Sequence, residues 1–288
     1  MINRFVLGVF VALASCAHKV SGPPPGPVTF TIGNPYQSAG EWYYPRDFDA
    51  YDVTGLATII GDNAPSYTVD NEAYDPNALA AASPVLQLPS IVTVTNLVNG
   101  YSVDVRVNDR GPDIPGRVIA VTPQVARLLN FPVGGVVEVQ VTLKPQETAA
   151  LDGALGEGPK LTAAPVTGIT AQSLGAPGGA SPGAVQNLTP AQNNAAQAQT
   201  VQLSGTVTAT APSPGPLFVQ IPGFGRQWDA YNVMQRLDGI PSQVVPIYGG
   251  DRTLYAVNAG PYHSVEDADA ALQQILAFGI PDPEIIVR

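Results

Sequence analysis

Histidine and cysteine are almost missing from this chain. Its 288 residues hold two histidines, His18 and His263, and one cysteine, Cys16. A single cysteine excludes an internal disulfide and any metal site built from a cysteine cluster. Positive charge is also scarce: 13 Lys and Arg against 23 Asp and Glu give a net charge of −10. That balance argues against nucleic acid or an anionic lipid surface as the main partner. Long apolar runs are absent, since the longest N-terminal one, Phe5–Leu13, is too short to span a bilayer as a helix. From Gln146 to Pro214 there is no aromatic residue and only four charged ones, Glu147, Asp152, Glu157 and Lys160. Such a stretch cannot bury enough apolar area to offset the entropy of ordering, so it reads as a disordered linker. As a flexible coil it would span about 45 Å root-mean-square. No cofactor and no metal are expected.

What is abundant is glycine and proline, 29 of each, more than one compact domain uses. The organisation read from these shifts is a leader over 1–16, a tether and lead-in over 17–51, a barrel over 52–145, the linker over 146–214 and a second domain over 215–288. In the leader, the positive Met1–Arg4 and the apolar Phe5–Leu13 are followed at once by Leu13-Ala14-Ser15-Cys16. These four residues resemble a bacterial lipobox, which implies that Cys16 is diacylated and becomes the mature N-terminus. The expected location is therefore the periplasmic face of the envelope. Ala17 after the cysteine favours the outer membrane under the sorting rule of enteric bacteria.

Ile91–Pro112 carries the most information. Two alternating runs meet at Asn99-Gly100, a strong hairpin signal. Val92, Val94, Val103, Val105 and Val107 fall on one face, and Asp104, Arg106 and Asn108 on the other. The second run delivers Asp109 into a turn of Arg110, Gly111 and Pro112, which places a carboxyl at a strand end beside a rigid loop. Thr122-Pro123 is an N-cap with proline in the first turn, opening a helix over Gln124–Leu129, and Val136–Leu143 alternates as a strand. Many short strands with one helix suit a small closed barrel.

Beyond the linker the order is βαββαβ. Strands are expected over Leu217–Ile221, Gln243–Tyr248, Thr253–Ala259 and Glu284–Val287. Helices are expected over Trp228–Leu237 and from the capping-box-like Ser264-x-x-Asp267 to Phe278. This is a ferredoxin-like split pattern, and Trp228 reads as helix packing.

The run from Val94-Thr95-Asn96-Leu97 through Asn108-Asp109-Arg110-Gly111-Pro112 resembles the rare lipoprotein A (RlpA) family of periplasmic double-psi β-barrels. The similarity extends to Asn71-Glu72-Ala73-Tyr74-Asp75, Leu88-Pro89-Ser90, Gly116-Arg117-Val118-Ile119 and the lead-in Trp42-Tyr43-Tyr44-Pro45. The C-terminal domain, through Phe218-Val219-Gln220-Ile221, Leu254-Tyr255-Ala256-Val257 and Ala259-Gly260-Pro261-Tyr262, resembles a SPOR domain. The resemblance implies a mainly β plus α+β fold, a double-psi β-barrel joined by a disordered linker to a ferredoxin-like SPOR domain. It implies an endolytic lytic transglycosylase acting on peptidoglycan glycan strands that lack stem peptides and leaving 1,6-anhydro ends. Septal enrichment and cell-division proteins as partners go with it. An alternative reading is a catalytically lapsed glycan-binding lipoprotein held at the septum, and a more distant one is wall loosening without cleavage.

The resemblance makes Asp109 the acid, with Glu72 as a second carboxyl that raises its pKa or orients it, or else a solvated loop acid. The family's histidine, in Thr-Ala-Ala-His, is replaced in Ala80-Ala81-Ala82-Ser83, so Ser83 stands at a catalytic position without the capacity to shuttle a proton near neutral pH. Two aromatics of the family pattern become Ile59 and Ile60, and a carboxylate becomes Ala120. Tyr74, Asn108 and Arg110 are candidate substrate contacts. Arg110 faces either substrate or a barrel carbonyl, and Tyr74 is alternatively a barrel plug. Gln220 and Tyr255 are candidate sugar ligands on the SPOR sheet, with a core position as the other option for Tyr255.

Overall fold

The computed structural model describes residues 26–132, 134–155, 203–249 and 252–288, the side chains of 248 and 249 excepted. The lipobox with Cys16, and 156–202 of the expected linker, lie outside the described residues. A short hairpin, β1 (Tyr36–Ser38) and β2 (Glu41–Tyr43), precedes the barrel elements β3 (Asp52–Ile59), β4 (Ala80–Ala82), β5 (Ser90–Asn96), β6 (Tyr101–Asp109), β7 (Arg117–Val121), α1 (Pro123–Leu128) and β8 (Val137–Leu143). Then come α2 (Pro145–Ala154), β9 (Thr208–Ala209), β10 (Leu217–Phe224), α3 (Gln227–Met234), β11 (Ser242–Gly249), β12 (Arg252–Tyr262), α4 (Val265–Ala277) and β13 (Glu284–Val287).

Strands β4, β7, β3, β8, β5 and β6 follow one another around a ring that closes through pairing of β4 with β6. The β3–β7 and β4–β6 pairs are parallel and the other pairs of the ring antiparallel. The valine alternation drives closure: Val92 sits opposite Val105 and Val94 opposite Val103. All four, with Val107, Val139 and Val141, fill the barrel core. Thr122 caps α1 as expected, its side chain accepting from Val125 N with Pro123 in the first turn.

The hairpin turn is longer than the two residues its Asn-Gly signal suggests. Thr95 pairs with Ser102, and Gly100 N donates to Asn96 O at 2.8 Å. Two asparagines shape it: Val98 N and Tyr101 N donate to the side-chain oxygens of Asn96 and Asn99, and both side-chain amides donate to Leu129 O. Gly100, at φ +76°, has no room for a side chain, because a Cβ there would lie 2.0 Å from Thr210 O.

That contact belongs to a segment expected to be linker. The 146–214 stretch is ordered at both described ends. At one end α2 seats Thr148 against β5, its hydroxyl accepting from Ile91 N. At the other, residues 203–214 run as a strap along the barrel. Here β9 pairs with Tyr101–Ser102 of β6, Thr210 N donates to Gly100 O and Ser213 N to Leu97 O. Backbone pairing to a strand edge needs no apolar side chains, so composition gives no sign of it.

The C-terminal domain has the expected βαββαβ order, with its sheet running β11-β12-β10-β13 and α4 capped by Ser264. Leu217, Val219, Ile221, Val257 and Ile285 pack with Ala268, Leu272 and Ile275 of α4 in a second core. Trp228 does not pack its helix; it is largely exposed. This domain does not stand apart from the barrel. Its edge strand β13 lies against β3, where Thr54 Oγ1 donates to Val287 O at 2.7 Å and accepts from Val287 N. Arg117 of β7 forms a two-pronged ion pair with Asp269 of α4, both contacts at 2.7 Å. Gly55 permits the approach: an added Cβ would sit 2.6 Å from Val118 Cγ1 and 3.0 Å from Ile285 O. Leu56, fully buried, belongs to the C-terminal core rather than to its own barrel's.

Candidate functional site

A groove of about 640 Å³ opens at the end of the barrel where β6 finishes. It is lined by Asp109, Asn108, Glu72, Tyr74, Arg106 and Ile60 among others, with Leu203 of the strap at its margin. Strand β6 supplies three of these by alternation and by its end: Arg106 and Asn108 share the polar face, and Asp109 follows where the strand gives way to the turn.

Asp109 is fixed by the backbone. Its Oδ1 accepts from Val69 N at 3.0 Å and from Arg110 N at 2.9 Å, which leaves Oδ2 uncommitted. Its own carbonyl accepts from Ser83 N. Burial pushes its pKa above the ordinary carboxyl value. The two N–H donors and the Arg110 charge work in the other direction, and Asp113 adds to the rise. A carboxyl held this way is suited to giving and retrieving a proton.

Glu72 is compensated by partners. Its Oε1 pairs with Arg106 at 2.5 Å, and its Oε2 accepts from the Asn108 side-chain amide at 2.6 Å. Asn108 therefore ties Glu72 to the residue next to Asp109. Behind them lies Asp70, with no exposed surface. Its Oδ1 accepts from the Thr68 hydroxyl and from Glu72 N, while Oδ2 lies 3.9 Å from Arg106. Burial pushes the Asp70 pKa up to about 6 despite those partners, and the Glu72 charge contributes. Asp70 has no motif of its own in the sequence. Arg106 was visible only as one of three polar residues on the β6 face.

The other candidates divide. Tyr74 lines the groove, with its hydroxyl pKa raised by burial and then by Asp62 and Asp75. Arg110 points away: it donates to the carbonyls of Ser83, Leu86 and Ile32, so the barrel-carbonyl alternative holds and a substrate contact does not. Ser83 is about 1% exposed and is not part of the groove lining. Its hydroxyl accepts from Val85 N and Leu86 N across a turn. His263, the one described histidine, follows β12 at the far domain. Tyr255 packs against the helix-side core of the C-terminal domain, on the same side as Val257 and Ala259. The core position offered as the other option for Tyr255 is thus the side it takes, with part of its surface still exposed. Gln220 is on the opposite sheet face, donating to Asn258 Oδ1 at 2.8 Å, and lines a cleft between the domains rather than the groove.

Comparison with known proteins agrees with this layout. A family model described as lytic transglycolase matches residues 52–141, and a SPOR domain model matches residues 213–282. The chain is 31% identical over 266 residues to the endolytic peptidoglycan transglycosylase RlpA of Pseudomonas aeruginosa, covering 88% of this chain and 76% of the relative. Shorter matches are to the proteins of the same name from Yersinia pestis, 42% over 107 residues (36% of this chain, 30% of the relative), and from Escherichia coli K12, 38% over 116 residues (39% and 32%). The six-stranded ring is accordingly a double-psi barrel and the second domain a SPOR domain. With three quarters of the Pseudomonas relative covered in one alignment that runs through both domains, the chain belongs to the RlpA family.

Proposed function

We propose that this protein is a lytic transglycosylase that cuts peptidoglycan glycan strands lacking stem peptides, with Asp109 as its acid and base. The observation that carries this is the Asp109 carboxyl itself: half-buried, in a groove, held by two backbone N–H groups, with the Arg110 side chain turned to backbone carbonyls instead. In the reaction the protonated Asp109 gives its proton to the glycosidic oxygen as the bond to C1 breaks. The resulting carboxylate takes the proton of the muramyl 6-hydroxyl as that oxygen bonds to C1. The product is a 1,6-anhydro end, no water is consumed, and Asp109 returns to its starting form. Burial serves this cycle by shifting Asp109 toward its acid form. The Glu72–Asn108 pair fixes the strand end beside it, while Tyr74 offers a ring to the sugar.

A second reading is favoured by one observation. The family histidine is replaced by Ser83, whose hydroxyl is turned to the Val85 and Leu86 amides, so the groove would hold glycan without cutting it. Incubating the protein with intact and with amidase-treated sacculi and weighing the released fragments separates the readings. Anhydro-ended fragments released preferentially from treated sacculi support the enzyme. Binding to sacculi without fragments supports the lapsed form. Lipidation at Cys16, an outer-membrane address and septal partners complete the proposal. Replacing Cys16 by Ala is expected to release the protein from membranes, and retention after a high-salt wash would place the anchor elsewhere.

A further inference from the structure

Asp70 is fully buried, and the proposed reaction gives it no task. It sits in a tight turn between β3 and β4, closed by a bridge between Tyr67 and Ala73 and by Thr68 N donating to Glu72 O at 2.9 Å. Its Oδ1 clasps that turn, accepting from the Thr68 hydroxyl at 2.6 Å and from Glu72 N at 3.2 Å. The turn lies on the end of β6: Val69 N donates to the Asp109 carboxyl at 3.0 Å and Asp70 N to Asn108 O at 3.4 Å. A change at Asp70 therefore reaches Asp109 through the adjoining residue.

Two polar atoms of this cluster are unmet. Asp70 Oδ2 and Arg106 Nε are both buried and both without a hydrogen-bond partner. One is an acceptor and the other a donor, so each offers what the other lacks, and leaving both unmet is costly. The Arg106 guanidinium is committed elsewhere: its Nη2 lies 2.5 Å from Glu72 Oε1 and 3.9 Å from Asp70 Oδ2. A displacement of about 1 Å toward Asp70 would bring that nitrogen within hydrogen-bond reach. It would come at the expense of Glu72, whose Oε2 holds the Asn108 amide at 2.6 Å. One cation thus stands between two acids and closely serves one of them. While Asp70 keeps its proton, nothing pulls Arg106 from Glu72. Once the proton is gone, a buried charge lies beside a cation with an unspent N–H.

We propose that Asp70 is a positioning residue for Asp109: on losing its proton it draws Arg106 from Glu72, which slackens the Glu72–Asn108 tie at the end of β6. The charged groups facing Asp70 are Glu72 on its own turn and Arg106 on β6, with Asp109 at the strand end. The lead-in meets it through Thr29 N, on the main-chain carbonyl. Burial pushes the Asp70 pKa up to about 6 with help from the Glu72 charge, against the Thr68 hydroxyl, the Glu72 N–H and Arg106. The exchange therefore falls within reach of neutral pH. Its effect on cleavage rests on the proposed function, and the movement of Arg106 does not.

The test follows the full isotope-labelled chain by NMR between pH 5 and pH 7.5, reading the Arg106 Nε–H and the Asn108 side-chain amide. Both signals are expected to shift with one midpoint near pH 6. Asn108 is the stricter probe, because its amide is bonded to Glu72 and a purely structural Asp70 would leave it still. Asp70→Asn keeps an acceptor for the turn and cannot ionise, so both signals should lose that midpoint. Thr68→Val removes a hydroxyl that favours the ionised form and should raise it. In cleavage assays kcat of the wild type should fall about tenfold further than that of Asp70→Asn across the same range, with KM moving alike in both. Three outcomes overturn the inference: an Asn108 amide that does not titrate near pH 6, one that titrates equally in Asp70→Asn, or kcat profiles that run parallel in the two forms. Should Asp70→Asn fail to fold, an unmoved midpoint in Thr68→Val overturns it instead. Titration of both signals with no cleavage at any pH would defeat the enzyme reading and leave the exchange of Arg106 standing.

Discussion

The groove and the inter-domain cleft both bury carboxyl groups, and they treat the charge in opposite ways. In the groove, Glu72 is met by Arg106 and by the Asn108 amide, and Arg106 also approaches Asp70. In the cleft, no ion pair among the described residues reaches the buried Glu41 or the exposed Glu284, and burial pushes the Glu41 pKa up. The groove is therefore built to hold charge in place around one carboxyl, Asp109, that escapes direct pairing. The cleft leaves its one buried carboxyl, Glu41, without an ion-pair partner among the described residues. One arrangement favours proton transfer at a fixed position, and the other leaves a carboxyl bonded to a tyrosine hydroxyl in place of a cation.

The largest effect expected from breaking this contrast comes from Arg106→Met. It strips the cation from two acids at once, and leaving buried charges unpaired costs about 3–5 kcal/mol. Urea unfolding measures it, and a loss below about 1 kcal/mol would mean that Arg106 does not hold the groove's charge. Asp70→Asn sharpens the same point through pH. The folded pKa of about 6 lies above the reference 3.8, so between those values the folded state binds more protons than the unfolded one. Stability then falls as pH rises through that window, by up to about 3 kcal/mol. The wild type should be more stable near pH 5 than near pH 7.5, and Asp70→Asn should flatten that slope. Glu41 and Glu284 contribute slope of the same sign and remain in the variant, so the difference between the two slopes is the readout. Equal slopes would contradict the assignment.

On the cleft side, Asp269→Ala leaves the nearly buried Arg117 without its partner. It should cost about 2 kcal/mol and loosen the domains, seen as separate rotational correlation times in NMR relaxation. Unchanged joint tumbling would show that β13 and Leu56 suffice to hold them. Ser83→Ala has the smallest effect. Removing a hydroxyl that accepts two long bonds, 3.4 and 3.3 Å, should cost about 1 kcal/mol or less and leave cleavage unchanged below the unfolding temperature. A large loss of activity would return Ser83 to the chemistry.

Much of the barrel was legible because it is written locally. Alternating valines placed Val92, Val94, Val103, Val105 and Val107 in the core. Thr122-Pro123 and Ser264 marked helix starts, and a strand ending in Asp109 put a carboxyl at an open end. What escaped was set by distant partners. The direction of Arg110 depends on the carbonyls of Ile32, Ser83 and Leu86, and that of Ser83 on amides in a turn no motif announces. Tyr255 was legible in principle, since it shares parity with Val257 and Ala259. The strap over 203–214 binds through its backbone, to which composition is blind. The docking of the domains joins Arg117 to Asp269, 152 residues away, and rests on Gly55, whose role appears only when Ile285 is seen against it.

The most direct measurement compares the full chain with Asp109→Asn on amidase-treated sacculi, counting anhydro-ended fragments by mass. Asn keeps an Oδ1 acceptor for the Val69 and Arg110 amides and removes the proton. General acid–base participation is worth about 10²–10⁴ in rate, so product formation is expected to fall by at least that range with stability preserved. Fragment release by the Asn variant at the wild-type rate would contradict proton transfer through Asp109.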